Sequence, residues 1–122
     1  MKRVLVIEKD AVTARRMGSL WESAGYETFL VTDVGRAAFD AGRWHPDLIT
    51  LNLEGSEGDG REVLLQLLSR PQTSRTPVVL FSGKEKKSIP QALMTSVRAV
   101  FDKPVLFERQ FEKTPQFVSA PG

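Results

Sequence analysis

The chain has 122 residues and a formal net charge of +2, from 17 basic and 15 acidic side chains. Apolar residues make up 41% and charged residues 26%, which fits one globular domain and excludes a disordered or fibrous chain. Cysteine is absent, so disulfides, thiolate catalysis and cysteine-based zinc sites are excluded. No apolar run approaches the roughly 20 residues of a membrane span. The start MKR resembles a signal-peptide n-region, but only VLVI follows before Glu8. A cytoplasmic protein is the expectation.

Val4–Ile7 (VLVI) is the first apolar run, and it predicts a strand. Asp10 then stands where an N-cap belongs. A helix is predicted to run from there to Ala24, with Val12, Met17, Leu20, Trp21 and Ala24 on its inner side and Gly25 at its end. Thr28–Val31 is a weaker strand. Gly35–Ala41 predicts a short helix closed by Gly42. Leu48–Leu53 (LITLNL) predicts the third strand. A helix from Gly60 to about Ser69 follows, with Val63, Leu64, Leu67 and Leu68 inward. Asp59-Gly60 is a turn and helix-start signal. Pro77–Phe81 (PVVLF) predicts the fourth strand, Pro90–Val97 a helix burying Ala92, Leu93 and Val97, and Ala99–Phe101 a fifth strand. A short last helix begins near Val105. Thr114-Pro115 stops it, because the residue before proline avoids helical angles.

The strongest runs lack polar alternation, as strands covered on both faces do. Five such strands alternating with helices predict a doubly wound α/β fold, a (βα)5 five-stranded parallel sheet with helices on both faces. Residues 1–113 form the expected domain, and 114–122 a flexible tail or linker. In such folds the site lies beyond the carboxyl ends of the strands, at a topological switch point. The residues there are Glu8, Lys9 and Asp10, then Asn52, Ser82, and Asp102, Lys103 and Pro104.

These residues carry a resemblance. VLVIEKD, AGYE, HPDLITLNL, EGSEGDG, TPVVLFSG and the pair Lys103-Pro104 occur in order and correctly spaced. The chain resembles a bacterial response-regulator receiver domain, which implies a flavodoxin-like fold of strand order 2-1-3-4-5. The resemblance also implies a site. In the family, two acidic residues after the first strand help hold magnesium, and an aspartate in the third strand accepts a phosphoryl group. Here the pair is Glu8–Lys9 and the acceptor position is Asn52. The family's Met-Pro pair after the acceptor is Gly55-Ser56, and its aromatic switch residue is Val100, whereas Ser82 and Lys103 match.

The chemistry follows from the residue types. Phosphoryl transfer to a side chain needs an anionic nucleophile and a magnesium ion over the phosphoryl oxygens. Magnesium takes carboxylate oxygens. Glu8, Lys9, Asn52 and Lys103 sum to +1, or 0 if Asp10 turns inward. Such a site has no reason to hold a dication, and the Asn52 amide is a very poor nucleophile. No magnesium or other cofactor, and no enzymatic activity, is expected.

Each residue also has a plainer role. Lys9 either places its ammonium where the metal would lie, against Glu8, or points to solvent, and the sequence leaves both open. Asn52 reads as a core polar residue bonded to neighbouring loop amides. Ser82 reads as inherited structure, and Lys103 as a partner for Glu8 or Asp102. His45, the only histidine, lies at the end opposite the site. Trp21 reads as core and Trp44 as rim. No GxSxG or Walker motif is present, and the EKDA loop lacks the Ser/Thr/Gly-rich cradle of a flavin phosphate.

The expected function is a pseudo-receiver, a phosphorylation-independent protein-interaction module in bacterial signal transduction. Two alternatives stand beside it: a receiver still modified at a non-standard residue such as Asp10, and a small-molecule sensor using the vacated acidic pocket. Expected partners are signalling proteins, or a second copy bound through the fourth helix, fifth strand and fifth helix. On that face Lys84, Lys86, Lys87, Phe107 and Phe111 are the candidate contacts. No membrane partner is expected. The lysine cluster, interrupted by Glu85, reads as a solvated loop rather than a nucleic-acid patch.

Overall fold

A computed structural model of the chain describes residues 2–52, 59–82, 97 and 99–102; side chains are described in 2–52, 61–81 and 97. Strand β1 (Arg3–Ile7) leads to α1 (Ala11–Ser23) and β2 (Glu27–Val31). A 3-10 turn, Val34–Arg36, opens into α2 (Ala37–Trp44). Then come β3 (Leu48–Asn52), α3 (Asp59–Ser69), β4 (Val78–Ser82) and β5 (Ala99–Asp102). Every strand pairing is parallel, and the sheet order is β2-β1-β3-β4-β5.

The unbroken apolar runs have a geometric cause. Neighbouring side chains on a strand leave by opposite faces, and both faces are covered. Val4, Val6, Leu48, Val79 and Phe81 pack with Met17 and Trp21 of α1. Leu5, Ile7, Ile49, Leu51, Val78 and Leu80 pack with Ala37, Ala38 and Ala41 of α2 and Val63, Leu64 and Leu67 of α3. The outer strand β2 alternates exposed and partly buried positions until Val31.

Helix α1 is capped as expected. The Asp10 carboxylate accepts from the Thr13 backbone N–H at 2.9 Å and from Thr13 Oγ1 at 2.6 Å. Its inner face differs from the predicted one. The buried stripe is Ala14, Met17, Gly18 and Trp21, whereas Val12 is 65% exposed, Ala24 is exposed and Leu20 is half-buried. Two small residues belong to this stripe because α1 lies close against β2. A Cβ at Gly18 would come within 2.8 Å of Leu30 Cδ2. Closeness to the sheet, rather than hydropathy alone, selects that face.

The second helix also differs. It starts two residues later than predicted and runs through Gly42 to Trp44. His45 ends it in the left-handed conformation at φ 56°, donating its N–H to the Ala41 carbonyl. Histidine, unlike a β-branched residue, is among those that tolerate that region. Trp21 is core and Trp44 is a half-buried rim residue, edge-on to Phe29 at 5.4 Å. The predicted last helix, Ala92, Leu93 and the tail 114–122 lie outside the described residues, and Val97 is partly buried against the α2/α3 core.

The cap gives a stability prediction. The hydroxyl and backbone bonds from Thr13 hold the Asp10 carboxyl below its ordinary value. A carboxylate depressed in the folded state stabilises the fold above its unfolded value. That stability is lost as pH falls through the folded value. Asp10→Ala is therefore expected to lower the melting temperature at neutral pH, with the difference from the parent shrinking in strong acid. Parallel melts at the two conditions check this, and a difference that stays constant with pH would remove the cap as its cause.

Candidate functional site at the strand ends

The sheet order reverses between β1 and β3, the neighbours whose connections leave in opposite directions. Their last in-register pair is Ile7 with Leu51. Glu8 and Asn52 are the next residue on each strand, so the backbone sets them side by side. Both are buried, at 4% and 6% exposure. Glu8 donates its backbone N–H to the Val31 carbonyl at 3.0 Å, which ties the start of the loop to β2. Its Oε1 accepts from the Asp10 N–H at 3.1 Å. That bond folds EKD into a tight corner, so that Asp10 begins α1.

The corner separates the three charged residues. Glu8 is buried, while Lys9 and Asp10 are exposed. Asp10 is engaged in capping through Thr13. The strand register places Ser82 opposite Asp102 on β5 and Val100 opposite Leu80. The side chains of Ser82 and Val100, and the whole of Lys103, Lys84, Lys86, Lys87, Phe107 and Phe111, lie outside the described residues. His45 sits before β3, at the far end of the strands.

The donor chemistry can be compared with that of a divalent cation. Among the described residues, Glu8 offers a carboxylate and Asn52 a neutral carboxamide, and Asp10, two residues after Glu8, is occupied at the helix cap. A hard, strongly hydrated dication takes several oxygen ligands and is bound through carboxylates. This donor set does not fit magnesium. Among the described residues, no group of three or more His, Cys, Asp or Glu side chains is arranged to hold a metal ion.

One polar residue near the site was not anticipated. Thr50 lies two positions before Asn52 on the same face of β3, between Val6 and Val79. It is 1% exposed, and its Oγ1 has no hydrogen-bond partner among the described residues. Its signal in the sequence was a lone hydroxyl inside the apolar run LITL.

An open, parallel, helix-covered sheet whose polar residues gather at the carboxyl ends of its middle strands has the flavodoxin-like architecture. Comparisons with known proteins extend this. The family model for the response regulator receiver domain matches residues 4–114. The cell cycle transcriptional regulator CtrA of Caulobacter vibrioides is 34% identical over 85 residues, covering 69% of this chain and 36% of CtrA. The polar-differentiation response regulator DivK of Brucella ovis is 27% identical over 119 residues, covering 96% of each chain. The crystallised chemotaxis response regulator CheY4 of Vibrio cholerae shares the fold, with a TM-score of 0.80 at 20% identity over 96% of this chain and 98% of that one.

The chain belongs to the response regulator receiver domain family, whose setting is two-component signalling. It spans little more than a third of CtrA and nearly all of DivK. None of its described helices is long and apolar enough to cross a membrane.

Proposed function

We propose that this receiver domain signals without phosphoryl transfer, as a pseudo-receiver whose output is the binding of a protein partner. The observation that carries the reading is Asn52, a buried amide at the end of β3 beside Glu8, where the family has its acceptor aspartate. An amide lacks the anionic oxygen that attacks a phosphoryl group. The neighbouring donor set is too poor in carboxylates to recruit the metal that such attack needs.

On this reading the protein is not an enzyme, uses no magnesium and works in the cytoplasm. Its control comes from the presence or abundance of partners. A second copy bound through the fourth helix, fifth strand and fifth helix is one form such a partner can take. Modification at Asp10 is disfavoured, because its carboxylate is held by Thr13 at the helix cap.

The test is incubation with a small phosphodonor and magnesium, followed by intact-mass measurement. The expected result is an unchanged mass. A gain of one phosphoryl group that disappears in Asn52→Ala would overturn the proposal.

A further inference from the structure

The outward face of α2 presents an exposed aromatic ring between two cations. Phe39 is 47% exposed. The Arg36 guanidinium lies 5.7 Å from its ring centre, and the Arg43 guanidinium also 5.7 Å. The spacing 36, 39, 43 puts all three on one ridge of the helix. This ridge points away from the sheet, since Ala37, Ala38 and Ala41 fill the opposite side.

The ridge is weakly neutralised. Asp40 approaches Arg36 only at 3.9 Å, and the arginine of that pair is largely exposed, so the pair contributes little. Arg43 has no carboxylate within ion-pair distance among the described residues. Two like charges therefore share one aromatic ring, and an approaching anion relieves their repulsion. An apolar group on the same ligand would cover Phe39. Both arginines present forked donors that match carboxylate geometry. A nucleic acid fits less well, because a phosphate backbone is usually met by a wider basic patch than the two arginines of this ridge.

We infer that the Arg36–Phe39–Arg43 ridge of α2 is a docking surface for an acidic protein segment carrying an apolar anchor between its carboxylates. The inference rests on the reading of the chain as an interaction module and supplies the partner's chemistry. It does not depend on the state of the strand ends.

The test is a titration of the isotope-labelled protein, followed by amide and guanidinium resonances. The probes are a short glutamate–leucine peptide, its lysine–leucine counterpart and a single-stranded oligothymidylate. The glutamate–leucine peptide is expected to shift Arg36, Phe39 and Arg43 selectively, with affinity falling as salt rises. Arg36→Gln combined with Arg43→Gln should weaken it by about tenfold or more, as expected for lost charge-assisted hydrogen bonds. Phe39→Ala should weaken it while leaving the helix content unchanged by circular dichroism. Absence of shifts on the ridge would overturn the inference, as would equal binding of the lysine peptide. Stronger binding of the oligothymidylate would assign the ridge to nucleic acid instead. Shifts that follow protein concentration alone would assign it to self-association. The titration contains neither phosphodonor nor magnesium, so its failure is separate from that of the mass measurement above.

Discussion

Lys9→Asp combined with Asn52→Asp is expected to bind magnesium, where neither the parent protein nor Asn52→Asp alone does so measurably. The single change supplies a nucleophile and a second carboxylate but leaves a cation at the β1–α1 corner. The double change takes the formal charge of positions 8, 9, 52 and 103 from +1 to −2. The backbone needed for this already exists, because the register brings the residues after Ile7 and Leu51 together. Lys9 is exposed, so its replacement costs little in folding. Titration calorimetry with magnesium, followed by phosphodonor labelling and mass measurement, reads the outcome. If Asn52→Asp alone takes up metal and phosphoryl as readily as the pair, Lys9 does not govern the site.

Thr50→Val is expected to stabilise the fold by about 1–2 kcal/mol, the cost of burying a hydroxyl that has no partner among the described residues. Valine has nearly the shape of threonine, and the valines at positions 6 and 79 flank it in register. The strand should accept it without repacking. Denaturant melts should show a higher midpoint with an unchanged slope. A loss of stability would mean that the hydroxyl holds a buried water in the native protein.

The two readings of Lys9 show where sequence reasoning stops. Glu8 and Asn52 could be placed because strands have rigid period and register. Their positions follow from counting along VLVI and LITL. Lysine has a long flexible stem, so the same counting locates its Cα and leaves its charge free. The helix faces show a related limit. Val12 is a strong apolar signal, yet it lies exposed, while Ala14 and Gly18 are buried. Close approach to a sheet favours small side chains, and hydropathy alone does not register that. At Gly42 the opposite happened: a residue that reads as a helix stop stands inside α2. There a Cβ would be 3.7 Å from Gln72 Cβ, an ordinary contact, so packing does not explain the glycine. The docking ridge was not singled out in the sequence. Arginine at 36 and 43 around Phe39 became informative once the alanines fixed which way the helix faces.

The division of the core into two separate clusters has a further consequence. Thr50 and Asn52 alternate with Ile49 and Leu51, so they leave β3 on the face that packs against α1. The α2 ridge belongs to the other side. Between them stands the hydrogen-bonded plane of the strands, with the described core residues divided between its two faces. A protein seated on α2 would therefore be insulated from events at the strand ends. It would gain a fixed mooring rather than a reading of a signal. Binding there would be indifferent to the state of the strand ends, which is how a tether behaves and how a relay does not.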